Sequence, residues 1–109
     1  MTKIEVFKDC DQIKVIKITG HANYSQAGSD IVCAGVSAII DTVVVGIKNQ
    51  LGINVLKTQD EKNAKIILEV PEKLNHETLK KIDLILNIAV DGLRSLMNEY
   101  ENFIEIKEK

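Results

Sequence analysis

Apolar and polar side chains alternate twice in the first nineteen residues. Over residues 2–8, Ile4 and Val6, with Thr2, fall on one side and Lys3, Glu5 and Phe7 on the other. Over residues 13–19 the alternation sets Ile13, Val15 and Lys17 against Lys14, Ile16 and Ile18. Period two is the signature of a strand with one buried face. The polar run Lys8-Asp9-Cys10-Asp11-Gln12 between them predicts a hairpin. Residues 20–30 hold Gly20, Asn23, Ser25, Gly28, Ser29 and Asp30, a loop by composition.

The pattern then changes. From Ile31 to Ile47, 12 of 17 residues are apolar, and a helix running to about Gln50 accommodates them. Ser29 or Asp30 is a good N-cap for it, and Gly52 stands where a left-handed residue closes a helix. With Asp30 as cap, Cys33 is the third helical residue. Two further strand-like runs, 53–58 and 64–70, flank the turn 59–63, and Pro71 ends the second. Asn75 can cap a second helix reaching about Tyr100, with Leu79, Ile82, Leu86, Ala89, Leu93, Leu96 and Tyr100 as its apolar stripe. Residues 102–107 predict a last strand.

The order β-β-α-β-β-α-β implies an α+β fold of two layers. A mostly antiparallel sheet of about five strands carries two long helices on one side. At 109 residues the chain is one domain, residues 1–109. The first helix is more apolar than one packed face requires. A second copy of the chain covering the remainder, a homodimer, is the expected solution. Its apolar run is interrupted by Gly35, Asp41 and Gly46 and is shorter than a membrane span, so a core helix is expected, not a membrane segment.

Charge and composition narrow the function. The net charge is −2, and there are two Phe, two Tyr and no Trp. Direct binding of nucleic acid is not expected, because phosphate backbones need cationic surfaces and single strands need aromatic faces. The start of the chain lacks the apolar core of a signal peptide, and the two cysteines do not make a disulfide framework. A reducing cytoplasm with free thiols is expected. No Cys-x-x-Cys or His-Glu-x-x-His spacing supports a metal, and no phosphate loop or other cofactor motif is present.

The candidate chemistry lies in Gly20-His21-Ala22 and Gly28-Ser29-Asp30-Ile31-Val32-Cys33-Ala34. A thiol near a helix N-terminus with an imidazole in reach is a way to make a nucleophile at neutral pH. His21 is the candidate general base. A buried, inert cysteine and an ordinary loop histidine are the bland alternatives. Cys33, Ser37 and Asp41 follow one another at i, i+4, i+8 and share one side of the helix. Ser37 either bonds substrate, orients His21 or simply admits close packing; Asp41 is a solvated charge on the plainer reading. Asp30 caps the helix, orients His21, or does both. Main-chain N–H groups near residues 33–34, at the helix start, are candidates for holding an oxyanion.

Together, Gly20-His21-Ala22 and Asp30-x-Val32-Cys33-Ala34 with Ser37 resemble the ribosomal-processing cysteine proteases, the Prp or YsxB-like family. The resemblance spans essentially the whole chain. It implies a cysteine endopeptidase that removes a short N-terminal extension from a bacterial large-subunit ribosomal protein, cutting after an aromatic residue. It implies Cys33 as nucleophile, His21 as base, Gly20, Asp30, Ala34 and Ser37 as supporting positions, and a homodimer. The rival from another class is a non-catalytic ribosome-associated peptide-binding protein. A thiol-transfer protein is disfavoured because no resolving cysteine lies near Cys33.

Overall fold

The computed structural model describes residues 1–20 and 29–109, and for Ser29 and Asp30 the main chain alone. The elements are β1 (Thr2–Asp9), β2 (Gln12–Thr19), α1 (Ser29–Leu51), β3 (Leu56–Asp60), β4 (Lys65–Glu69), α2 (His76–Glu99) and β5 (Ile104–Glu108). They form one five-stranded sheet in the order β3-β4-β2-β1-β5. Three neighbouring pairs are antiparallel, while β5 joins the edge of β1 in parallel. The sheet is therefore mixed, with the expected antiparallel majority.

The strand directions explain why both helices share one face. β2–α1–β3 and β4–α2–β5 are crossovers between parallel strands, and such crossovers are right-handed. They move in opposite directions across the sheet and start from antiparallel strands. The two reversals cancel, so both helices arrive on the same side. There they enclose the core. Ile4, Val6, Ile16, Ile18, Leu68 and Ile104 rise from the sheet to meet Val32, Val36, Ile40, Val43 and Ile47 of α1 and Ile82, Leu86, Val90 and Leu93 of α2. Contrary to the expectation of a run shorter than a membrane span, the stretch Ile31–Leu51 is long and apolar enough to cross one by length and composition; its inward stripe is what this core uses.

Local chemistry sets the ends of the elements. Cys10 and Asp11 take positive φ at the tip of the β1–β2 hairpin, the backbone that a two-residue turn demands. Asn75 accepts a hydrogen bond from the Thr78 N–H at 2.8 Å and caps α2. Gly52, at φ +70°, closes α1, with its N–H donating to the Lys48 carbonyl at 2.9 Å.

Three expectations need correction. Ile13 is buried with Ile16 and Ile18, not on the opposite face. The β1–β2 register shifts between Phe7 and Lys8, leaving an extra residue at Lys14 that reverses the side-chain alternation. The Ile13 N–H donates instead to the Asp83 carboxylate of α2 at 2.8 Å. Next, β3 begins at Leu56 and continues through Asp60, which pairs with Lys65, so Gln59 and Asp60 belong to the strand and not to the turn. Finally, α1 begins at Ser29, which makes Cys33 its fifth residue, a full turn from the start.

Candidate active site

Five elements meet at one end of the sheet, where β2 ends and β1 and β4 begin. Between them and the first turns of α1 lies an open cleft of about 500 Å³. Cys33, Val36 and Ser37 supply its helical wall, Thr2, Ile18 and Gly20 its floor, and Gln59, Asp60, Glu61, Ala64, Lys65 and Ile66 the wall from the β3–β4 hairpin. Val36 and Ile18 are core residues, so the cleft is apolar at depth and polar at its rim.

Cys33 is half-buried and Ser37 exposed, both on the helix side that faces the cleft. The helix phase accounts for this, because residues four apart stack one turn above the other. Asp41, next in that series, is solvent-exposed and lies outside the cleft, as the plainer reading had it. Ala34 is exposed and does not line the cleft. Only the first four N–H groups of a helix lack an internal partner. With α1 starting at Ser29, the N–H groups of Cys33 and Ala34 are committed to the helix ladder, which removes them as oxyanion donors.

Gly20 is fixed from two directions. Its N–H donates to the Ala64 carbonyl at 3.0 Å, tying the end of β2 to the hairpin turn. Its φ is +88°, and a Cβ added there would stand 2.5 Å from the Met1 carbonyl oxygen. Glycine is required on both counts. His21 follows it directly in sequence but, like the side chain of Asp30, lies outside the described residues. Cys10, the second free thiol, is exposed at the hairpin tip, where its Sγ donates to the Asp9 carboxylate at 3.6 Å.

Asp60 builds the hairpin wall. Its carboxylate accepts from the side-chain amide of Asn63 at 2.7 Å and from the Asn63 N–H at 3.2 Å. These bonds, the side-chain one foremost, hold its pKa below the usual carboxylate value. A depressed pKa favours the folded turn above the ordinary carboxylate range. That contribution is lost as the pH falls through the folded value.

Sequence reasoning missed Thr2 and the hairpin residues Gln59, Asp60, Glu61 and Lys65. No local signal marks them, since they reach Cys33 only through sheet topology.

A family profile for cysteine protease Prp matches residues 1–105. The chain belongs to the Prp family of cysteine proteases. It is similar to the ribosomal processing cysteine protease Prp of Bacillus subtilis (strain 168), with 29% identity over 90 residues, 83% of this chain and 80% of that one. Among solved structures it resembles the essential Prp of S. aureus in complex with a substrate peptide, at TM-score 0.81 and 21% identity over 100% of both chains. The same S. aureus protease with a covalently linked product peptide gives TM-score 0.77 at 24% identity, again over 100% of both. A protein from Streptococcus mutans superposes at TM-score 0.85 with 20% identity, covering 99% of this chain and 93% of that one. Cys33, a free cysteine, stands in the wall of the described cleft of this Prp-family chain.

Proposed function

We propose that this Prp-family protease removes the short N-terminal extension of a bacterial large-subunit ribosomal protein, with Cys33 as nucleophile and His21 as general base. The observation that carries the reading is the position of Cys33, half-buried and opening onto the cleft beside Ser37. The apolar depth of the cleft suits an aromatic side chain of the substrate, and its open ends suit an extended peptide.

In this mechanism His21 takes the Cys33 proton and the thiolate attacks the scissile carbonyl carbon. The tetrahedral intermediate collapses with loss of the C–N bond, and His21 protonates the leaving amine. The N-terminal fragment remains as a thioester on Cys33. Water, deprotonated by His21, attacks the thioester, releases the fragment as a carboxylic acid and restores the thiol. No metal or cofactor takes part. Gly20 sets the main chain ahead of His21; Ser37 bonds the peptide or orients His21; Asp30, in the first turn of α1, orients the imidazole; Ala34 supports the helix turn behind the thiol. The cytoplasm, where ribosomes assemble, is the place for this reaction.

Incubation with the extended ribosomal protein tests the reading. A shortened product with a single new N-terminus is expected, and binding without cleavage would favour the peptide-binding alternative.

The reading includes a homodimer. Ile31 and Val45 of α1 remain 57% and 54% exposed, and Leu84 and Ile88 of α2 remain 63% and 60% exposed. All four lie on helix surfaces turned away from the sheet, where a second copy would cover them. A solution mass of twice 12.1 kDa is expected from light scattering at micromolar concentration, and Ile88→Glu is expected to shift it to the monomer value. A monomeric mass for the unmodified chain would remove the dimer from the account.

A further inference from the structure

Thr2 stands on the core-facing side of β1, two residues before Ile4 and four before Val6. It is only 3% exposed, and its Oγ1 is buried with no hydrogen-bond partner among the described residues. A buried hydroxyl without a partner is destabilising, and valine, of nearly the same shape, would fill the position without that cost. Thr2 nevertheless is one of the residues that line the cleft together with Cys33. Its main chain is held against β5. The Thr2 N–H donates to the Phe103 carbonyl at 2.9 Å, and Thr2 is in register with Ile104 of β5. The residue therefore borders the floor of the peptide cleft, and its hydroxyl lies beneath that floor, unsatisfied among the described residues.

We propose that the Thr2 hydroxyl is a substrate-binding group that hydrogen-bonds the main chain of the bound peptide. The inference rests on reading the cleft as the peptide site. A hydroxyl both donates and accepts, and every peptide unit offers a carbonyl and, except at proline, an N–H. The floor around it, Ile18 and Gly20, offers a peptide side chain no other polar side-chain group. Such a contact positions the chain along the cleft without reading its side chains.

The test compares Thr2→Val and Thr2→Ser with the unmodified protein on two synthetic peptides. Both span the cleavage junction of the extended ribosomal protein, with different side chains flanking the same scissile pair. Thr2→Val is expected to lower kcat/KM about tenfold on both peptides, mainly through KM, as loss of one hydrogen bond would do. Its Tm is expected to equal or exceed the original, because an unpaired buried oxygen has been removed. Thr2→Ser is expected to recover most of the activity. In a Cys33→Ala background, Thr2→Val is expected to weaken peptide binding by a similar factor, so the contact is measurable whether or not the peptide is cut. Unchanged kcat/KM and affinity would overturn the proposal and assign the hydroxyl to a trapped water. A lower Tm would overturn it in favour of a structural hydrogen bond. A loss confined to one peptide would overturn the main-chain contact. Failure of the unmodified protein to cut a peptide that it binds in a Thr2-dependent way would overturn the protease reading while supporting this contact.

Discussion

Cys33→Ala is expected to fold like the unmodified protein and to lose cleavage by a factor of about 10⁴ or more. The side chain is half-buried, so shortening it removes one sulfur and little packing. The chemical consequence is far larger. Without the thiolate no acyl intermediate forms, and a bound peptide is left to attack by water alone. Cys33→Ser is expected to recover little, because an alkoxide is far harder to generate than a thiolate at the same position. Cys10 is the internal control. It sits exposed at a turn with φ 52°, so Cys10→Gly suits the backbone and is expected to leave both Tm and kcat/KM unchanged. Equal losses from Cys33→Ala and Cys10→Gly would separate the activity from the cleft.

Gly20→Ala is expected to damage stability and catalysis together. The φ of +88° costs a residue with a Cβ about 1–3 kcal/mol. The added carbon would also meet the Met1 carbonyl oxygen at 2.5 Å, a main-chain atom that the start of β1 holds in place. Relief requires β1 and the end of β2 to part, and that movement opens the cleft floor beneath Cys33. A fall in denaturation midpoint and a loss of kcat/KM greater than tenfold are expected. Gly52→Ala isolates the conformational cost. Its φ is +70°, yet an added Cβ there meets nothing within 4 Å. It is expected to destabilise by about 1 kcal/mol and to leave kcat/KM intact. Similar effects of the two substitutions on activity would mean that Gly20 has no special place in the cleft.

Much of this fold was legible because its signals are local. The Asn75 cap, the α2 stripe from Leu79 to Leu96 and the left-handed Gly52 depend on neighbours within a turn or two, and each stands as expected. The Ile13 alternation failed because a bulge at Lys14 is settled by Asp83, seventy residues away. The β3 boundary failed because Asp60 is a strand residue only by virtue of its pairing with Lys65. The start of α1 lies one or two residues earlier than the caps Ser29 or Asp30 implied, which places the Cys33 and Ala34 N–H groups inside the helix ladder. A sequence with two adjacent capping residues, Ser29 and Asp30, does not say where the helix opens.

The site was half legible for the same reason. Cys33, Ser37 and Gly20 were found through their motif and helix spacing, and the cleft brings these three together. Thr2, Asp60 and Glu61 carry no motif; β1 and the β3–β4 hairpin become walls of the cleft only when the sheet order β3-β4-β2-β1-β5 is formed. Long-range topology supplies what period and spacing do not.

The central claim is that Cys33 forms a covalent acyl intermediate. Rapid acid quenching of the protein with a junction peptide, followed by intact-mass and fragment analysis, tests it directly. A thioester on Cys33 carrying the N-terminal fragment of the peptide, present early and lost as free fragment accumulates, is the expected result. Cleavage at the full rate with no adduct on Cys33 at any time would contradict it.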